Sequence, residues 1–106
     1  MSVEWHRVCT TEELTLDALR GAVIDGRAVV VARTDIGLSA FDDACPHRGA
    51  AFTSVGRIMN GKLLCGWHYW AFDCETGAHT HITGVCLKTH PVQERDGWVE
   101  VSVRPA

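Results

Sequence analysis

Short apolar runs separated by turn residues cover most of the chain, and they predict a series of β-hairpins. Asp25-Gly26, Asn60-Gly61 and Asp96-Gly97 each stand between two apolar or alternating runs. Two-residue Asp-Gly and Asn-Gly loops favour the backbone twist that joins antiparallel strands. A further turn at residues 35–37 ends one strand before the run LSAFD.

One helical signal interrupts this pattern. Thr10 and Glu13 have the spacing of a capping box and precede Leu14, which predicts about one helical turn. Evenly spaced short strands with turns between them are typical of a small antiparallel sandwich or barrel. Because the sequence contains no repeat, linker or low-complexity tract, it predicts a single all-β domain over residues 1–106.

Composition and charge exclude several classes of function. The chain has 106 residues, enough for one hydrophobic core. Its net charge of −3 offers no basic surface for nucleic acid. No apolar run is long enough to cross a membrane, and the N-terminus lacks the basic and apolar segments of a signal peptide. We therefore expect a cytoplasmic protein that binds neither nucleic acid nor membranes.

The five cysteines indicate metal binding or simple burial rather than disulfides. An odd number of cysteines in a chain without an export signal fits a disulfide framework poorly. The cysteines are Cys9, Cys45, Cys65, Cys74 and Cys86.

Two stretches, residues 43–55 and 65–70, do not follow the strand pattern. Each begins where a predicted strand ends, and each carries one Cys-His pair. Since the Asn60-Gly61 hairpin turns the chain back between them, we expect both loops at one end of the sheet.

The candidate ligands are Cys45, His47, Cys65 and His68, with 17 residues between the two pairs. Two thiolates and two imidazoles suit zinc or an iron–sulfur cluster. A Cys2His2 zinc site usually takes both cysteines from one turn and both histidines from a helix, whereas here each loop supplies one of each. A [2Fe-2S] cluster explains this alternation, because one iron takes both cysteines and the other takes both histidines. A mononuclear zinc site and chance pairing without a metal are the alternatives.

The sequence resembles the Rieske family in its two Cys-His loops. CPHRG at 45–49, CGWHYWAFD at 65–73 and Thr-Gly at 76–77 look like the cluster-binding segments of that family. The similarity to free-standing Rieske ferredoxins also includes the leading WHRVCTTEEL and the closing CLKTHPVQERDGWVEV, so it covers nearly the whole chain.

This resemblance implies a role for each candidate ligand. Cys45 and Cys65 would hold the buried iron, and His47 and His68 would hold the outer iron near solvent. The family further implies a one-electron carrier that is not an enzyme by itself. Its expected electron donor is a flavin-dependent NAD(P)H reductase. Its expected acceptor is a terminal oxygenase, either a diiron monooxygenase or a ring-hydroxylating dioxygenase. Nothing in the sequence demands more than a monomer.

Three positions predict a low reduction potential. High-potential relatives of the respiratory class carry a disulfide across the loops, where this chain has Ala50 and Trp67. They also carry a serine where this chain has Trp70. Hydrogen bonds and burial tune such centres, so we expect a potential near the lower end of the roughly −150 to +300 mV Rieske range.

Other residues of the two loops have a simple and a functional interpretation. Trp67, Tyr69 and Trp70 either shield the cluster or form a contact patch, and shielding is the simpler reading. Arg48 is either solvated or orients a partner.

The remaining cysteines and histidines are given structural roles. Cys9, Cys74 and Cys86 are expected to be small buried side chains, and Asp42 and Asp43 are expected to be turn residues. Histidines without a cysteine at ligand spacing are assigned to the surface or to strands, although His81 lies where the third loop could approach the cluster. These histidines are His6, His79, His81 and His90.

Two other functions remain open at the sequence level. One is a Rieske subunit bound tightly to a larger redox enzyme. The other is a small structural or regulatory module in which the same four residues hold zinc.

Overall fold

The computed structural model describes residues 4–46, 49–66 and 70–105. The described part is nearly all β, as predicted, with one short helix inside the first loop. Its elements are β1 (His6–Thr10), β2 (Leu19–Ile24), β3 (Arg27–Thr34), β4 (Gly37–Asp42), α1 (Phe52–Val55), β5 (Gly56–Met59), β6 (Lys62–Cys65), β7 (Ala71–Asp73), β8 (Val92–Arg95) and β9 (Trp98–Val101).

The strands form three antiparallel sheets of three strands each, with the orders β1-β9-β8, β2-β3-β4 and β5-β6-β7. The predicted hairpins at Asp25-Gly26, Asn60-Gly61 and Asp96-Gly97 are confirmed as the β2–β3, β5–β6 and β8–β9 turns. Both residues of each turn have positive φ. This is the type I′ geometry that favours Asn or Asp followed by Gly.

Strand β3 lies between two hydrophobic clusters and explains the uninterrupted run of valines. Val30 and Ala32 belong to the cluster that contains the two loop cysteines. Val29 and Val31 belong to a second cluster with residues of β1 and β9. Successive side chains of a strand point to opposite faces. The run is therefore apolar throughout, because both faces of β3 are buried.

The predicted helical turn at Thr10 forms only in part. Glu13 N–H donates to Thr10 Oγ1 at 3.2 Å, and Glu13 Oε1 accepts from Thr10 N–H at 2.9 Å, so the capping-box hydrogen bonds are present. Residues 11–13 form a turn and no α-helix follows. Leu14 is fully buried, and the turn serves to place it in the core. Among the described elements, no helix is long and apolar enough to cross a membrane.

Candidate metal centre

The first loop begins where β4 ends and is closed by its own backbone. Cys45 N–H donates to the carbonyl of Ala50 at 2.8 Å, and Gly49 N–H donates to the carbonyl of Cys45 at 2.6 Å. Gly49 has a φ of +74°, a conformation that costs glycine little. Cys45 is 1% exposed, so its thiol lies at the base of the loop.

A tertiary contact fixes the two ends of this loop to each other. Asp43 is 9% exposed, and its carboxylate accepts hydrogen bonds from Thr53 N–H at 3.2 Å and from Thr53 Oγ1 at 2.6 Å. Ala51, the residue before α1, makes no side-chain cap, so Asp43 supplies the acceptor at this helix start. The sequence prediction of a simple turn residue missed this role, because the partner lies ten residues away.

The second loop repeats the closure of the first. Cys65 ends β6, and its N–H donates to the carbonyl of Trp70 at 2.7 Å, five residues ahead, as Cys45 does to Ala50. Gly66 packs against the first loop, because a Cβ atom added there would lie 2.3 Å from the carbonyl oxygen of Val55. The two loops are therefore in direct contact, as the sequence predicted from the intervening hairpin.

The two loop cysteines belong to one buried cluster. Cys65, like Cys45, is 1% exposed and is not part of a disulfide. Both pack in the cluster that contains Phe52 and Phe72. An isolated thiolate in such surroundings is unfavourable. A bound cation compensates for that charge and makes thiolates the preferred form. The buried pair therefore fits a metal group held between the two loops.

A third segment, residues 78–86, packs against the second loop. Thr80 N–H donates to the carbonyl of Ala71 at 3.0 Å. The imidazole of His79 lies edge-to-face on the ring of Trp70, with 4.8 Å between ring centroids, and on Phe72 at 5.3 Å. Trp70 is half-buried against the core cluster, which is consistent with the predicted shielding role.

His79 also organises the backbone of this third segment. Its Nδ1 accepts from the N–H groups of His81 and Ile82, each at 3.0 Å. The neutral ring therefore carries its proton on Nε2. That Nε2 is buried and has no hydrogen-bond partner within the described part of the chain. No sequence signal indicated this role of His79, since no cysteine stands at ligand spacing to mark it.

His90 is the second histidine whose role the sequence did not indicate. Its side chain is fully buried, Nε2 lies 2.8 Å from Asp42 Oδ1, and Nδ1 accepts from Arg104 N–H at 3.0 Å. Arg27 reaches the same Asp42 oxygen at 2.9 Å. Asp42 ends β4, so this network ties the C-terminal segment to the strand that leads into the first loop.

The other three cysteines divide into two environments. Cys9 and Cys74 are buried, as predicted, and desolvation raises the pKa of both thiols, that of Cys74 to about 11. The prediction for Cys86 is wrong, because this residue is exposed on the third segment. It pairs with Ala78 through an isolated backbone bridge that leaves its side chain at the surface.

Several predicted site residues lie outside the described residues. These are the candidate ligands His47 and His68, together with Arg48, Trp67 and Tyr69.

Comparison with known protein families gives one match over most of the chain. The Rieske [2Fe-2S] domain matches residues 4–91. The vanillate O-demethylase oxygenase subunit of Pseudomonas sp. (strain HR199 / DSM 7063) is 32% identical over 92% of this chain, but the chain spans only 28% of that subunit. The anthranilate 1,2-dioxygenase ferredoxin subunit of Burkholderia cepacia is 33% identical over 94% of this chain and 93% of its own length.

A solved structure shares the fold along nearly the full length of both chains. The ferredoxin of carbazole 1,9a-dioxygenase from Nocardioides aromaticivorans IC177 superposes with a TM-score of 0.83 and 24% identity, over 94% of this chain and 98% of its own. The family match, the paired loops and the buried cysteines agree. This chain belongs to the Rieske [2Fe-2S] domain family, whose cofactor is one Rieske-type cluster.

Proposed function

We propose that this chain is a one-electron carrier in which Cys45, His47, Cys65 and His68 hold the [2Fe-2S] cluster, with residues 1–106 forming a single Rieske domain. The observation that carries the proposal is the pair of loops closed in the same way. Each starts at a buried cysteine whose N–H bonds the carbonyl five residues ahead, and each has a histidine inside that closure.

The environment of each ligand type sets its role. Cys45 and Cys65 lie in the core cluster, which suits the iron shielded from water. His47 and His68 follow them in sequence and would hold the other iron. When bound, the cluster stores and releases one electron. Two neutral imidazoles in place of two thiolates raise its potential above that of an all-cysteine cluster.

The rest of the site favours a potential in the lower part of the Rieske range. Ala50 stands where respiratory relatives carry one cysteine of an inter-loop disulfide. None of the five cysteines, all of which lie within the described residues, forms a disulfide, so no such bridge joins the loops. A low-potential carrier suits delivery of electrons to an oxygenase.

The proposed partners are a flavin-dependent NAD(P)H reductase as donor and a terminal oxygenase as acceptor. Support comes from the anthranilate dioxygenase ferredoxin subunit, which matches over nearly its full length. Further support comes from the solved complex between oxygenase and ferredoxin in carbazole 1,9a-dioxygenase. The chain would act in the cytoplasm as a monomer and would not be an enzyme by itself. Its contacts with both partners would be small, because a carrier must separate from each partner quickly.

A second candidate is the Rieske portion of a larger redox enzyme. The match to 28% of the vanillate O-demethylase oxygenase subunit favours it. Gel filtration of native extract, followed with an antibody, separates the two candidates. A free carrier elutes near its 11.6 kDa mass, whereas a subunit of an oxygenase elutes with its partner.

Ligand substitutions test the assignment of the four residues. Cys45→Ala, His47→Ala, Cys65→Ala and His68→Ala should each lower iron and sulfide content and abolish the visible absorption of the purified protein. His81→Ala is the matched control and should retain both. If the wild-type protein is colourless and contains one zinc, the residues form a Cys2His2 zinc site and the carrier proposal is wrong.

A further inference from the structure

His79 carries a buried hydrogen-bond donor that has no acceptor among the described residues. Its Nδ1 accepts from the N–H groups of His81 and Ile82, each at 3.0 Å. The proton of the neutral ring is therefore on Nε2. That Nε2 is buried and makes no hydrogen bond within the described part of the chain. Because an unmet buried donor is costly, this N–H indicates an acceptor that the described polypeptide does not supply.

A second unmet polar atom lies on the next residue. Thr80 Oγ1 is also buried and has no hydrogen-bond partner among the described residues. Native proteins pair the large majority of buried side-chain polar atoms. Two exceptions on adjacent residues of the third segment therefore mark a place where a polar group from outside the described chain belongs.

The unmet donor of His79 lies against the second cysteine loop. The imidazole packs edge-to-face on Trp70, with 4.8 Å between ring centroids, and on Phe72 at 5.3 Å. The Trp70 carbonyl closes that loop, because it accepts from Cys65 N–H. Phe72 belongs to the same buried cluster as Cys45 and Cys65, and Trp70 packs against that cluster. The imidazole therefore contacts two of the side chains that enclose the buried thiols.

The surroundings of the ring favour sulfur as the missing acceptor. The Trp70 carbonyl already bonds Cys65 N–H. The Ala71 carbonyl already accepts from Thr80 N–H at 3.0 Å. A buried water needs about two to four polar partners, whereas the imidazole is flanked by two aromatic rings. An aromatic face accepts an N–H donor only weakly. The sulfur atoms of an iron–sulfur cluster accept hydrogen bonds, and these bonds help to set its potential.

We propose that His79 Nε2–H donates a hydrogen bond to a sulfur atom of the bound [2Fe-2S] cluster and thereby raises the midpoint potential. This inference rests on the proposed carrier function and identifies a residue that tunes the potential without holding iron. The reduced cluster has one more negative charge than the oxidised cluster, and a hydrogen bond to a more negative acceptor is stronger. The donor therefore stabilises the reduced form more than the oxidised form, while its proton stays on Nε2.

Three substitutions separate the donor of His79 from its packing and from its effect on the backbone. His79→Leu removes both ring nitrogens. His79→Asn keeps an acceptor near the Nδ1 position but has no donor at the Nε2 position. His79→Gln carries an amide N–H that reaches near the Nε2 position. Anaerobic redox titration read by EPR, at one fixed pH, measures the midpoint potential of each intact variant.

The midpoint potential should follow the presence of the donor. In His79→Leu and His79→Asn, the ratio of reduced to oxidised protein at a fixed applied potential should fall about tenfold, which corresponds to a midpoint about 59 mV lower for one electron. The midpoint of His79→Gln should lie nearer to that of wild type than to that of His79→Leu. His81→Leu is the matched control, because it removes an exposed imidazole from the same segment, and it should leave the midpoint unchanged.

Three results overturn the inference and are distinct from failure of the carrier function. The first is an unchanged midpoint in both His79→Leu and His79→Asn, as expected if Nε2–H meets a buried water or an aromatic face. The second is a midpoint that falls in His79→Leu but not in His79→Asn, because backbone order would then explain the shift. The third is an equal fall in all three variants, since the shift would then not follow the donor. Absence of the EPR signal from the wild-type protein at any potential instead rejects the proposed function itself.

Discussion

The contact between Asp43 and Thr53 should control how long the first loop retains the cluster. The Asp43→Ala substitution removes both hydrogen bonds that its carboxylate accepts, at 3.2 and 2.6 Å. Hydrogen bonds to a charged group contribute about 1.5–3 kcal/mol each. Thr53 is exposed, so water replaces part of the loss. We therefore take a total of about 2 kcal/mol, below the sum of the two bonds.

Cluster loss makes unfolding irreversible, so this free energy is best measured as a rate. If the contact is broken before the cluster leaves, 2 kcal/mol corresponds to an approximately thirtyfold faster loss. The assay follows decay of visible absorption at fixed temperature in the presence of an iron chelator. Asp43→Asn keeps an acceptor for Thr53 N–H and should lose the cluster more slowly than Asp43→Ala.

Two controls isolate the contact. Asp35→Ala removes an exposed carboxylate from the β3–β4 turn and should behave as wild type. Thr53→Val removes only the hydroxyl, and its effect should largely vanish in the Asp43→Ala background, because coupled residues are not additive. Equal decay rates for Asp43→Ala and wild type, or fully additive effects in the double variant, would refute this reasoning.

Three further predictions concern the described residues around and beyond the site. With the cluster bound, maleimide should label one thiol per chain, at Cys86, because Cys74 is buried with its pKa raised to about 11; peptide mapping that finds labelled Cys74 contradicts this. Hydrogen bonds from Arg33 lower the pKa of Glu94 in the folded protein. The ion pair therefore stabilises the fold above the pKa that Glu94 has in the unfolded chain, and this stabilisation is lost as pH falls through the lower pKa of the folded state. Glu94→Gln should therefore lower the free energy of unfolding at pH 7 by less than about 1 kcal/mol, and denaturation at stepwise lower pH should show the difference from wild type closing below about pH 4. His79→Leu should speed amide hydrogen exchange in the peptide covering residues 77–87, whereas His79→Asn keeps an acceptor near the Nδ1 position and should protect it; equal exchange in both variants would count against this role of His79.

The sequence predicted the parts of this fold that depend on local backbone chemistry. The turns at Asp25-Gly26, Asn60-Gly61 and Asp96-Gly97 require positive φ. Asn or Asp followed by Gly is the residue pair that favours this conformation, so the sequence predicts these turns. The sequence did not predict helix α1, because Phe52–Val55 is only one turn long. The hydrogen-bond acceptor at its start is the carboxylate of Asp43, ten residues before Thr53, rather than a residue next to the helix.

The assignment of the four ligands remains a prediction, whereas the residues that support the two loops were not predictable. Spacing marked Cys45 and Cys65 as candidate ligands, and both are buried. His79 acts through two backbone N–H groups and a tryptophan ring, which no spacing rule indicates. Cys86 was expected to be buried because of its residue type, but the third segment leaves it at the surface.

The most direct test of the electron-carrier account is a redox titration of anaerobically purified protein read by EPR. The account predicts a reduced-state Rieske signal with a midpoint in the lower part of the roughly −150 to +300 mV range. A midpoint well above zero would contradict the interpretation of Ala50, Trp67 and Trp70. No signal at any potential, with zinc found by metal analysis, would contradict the carrier function itself.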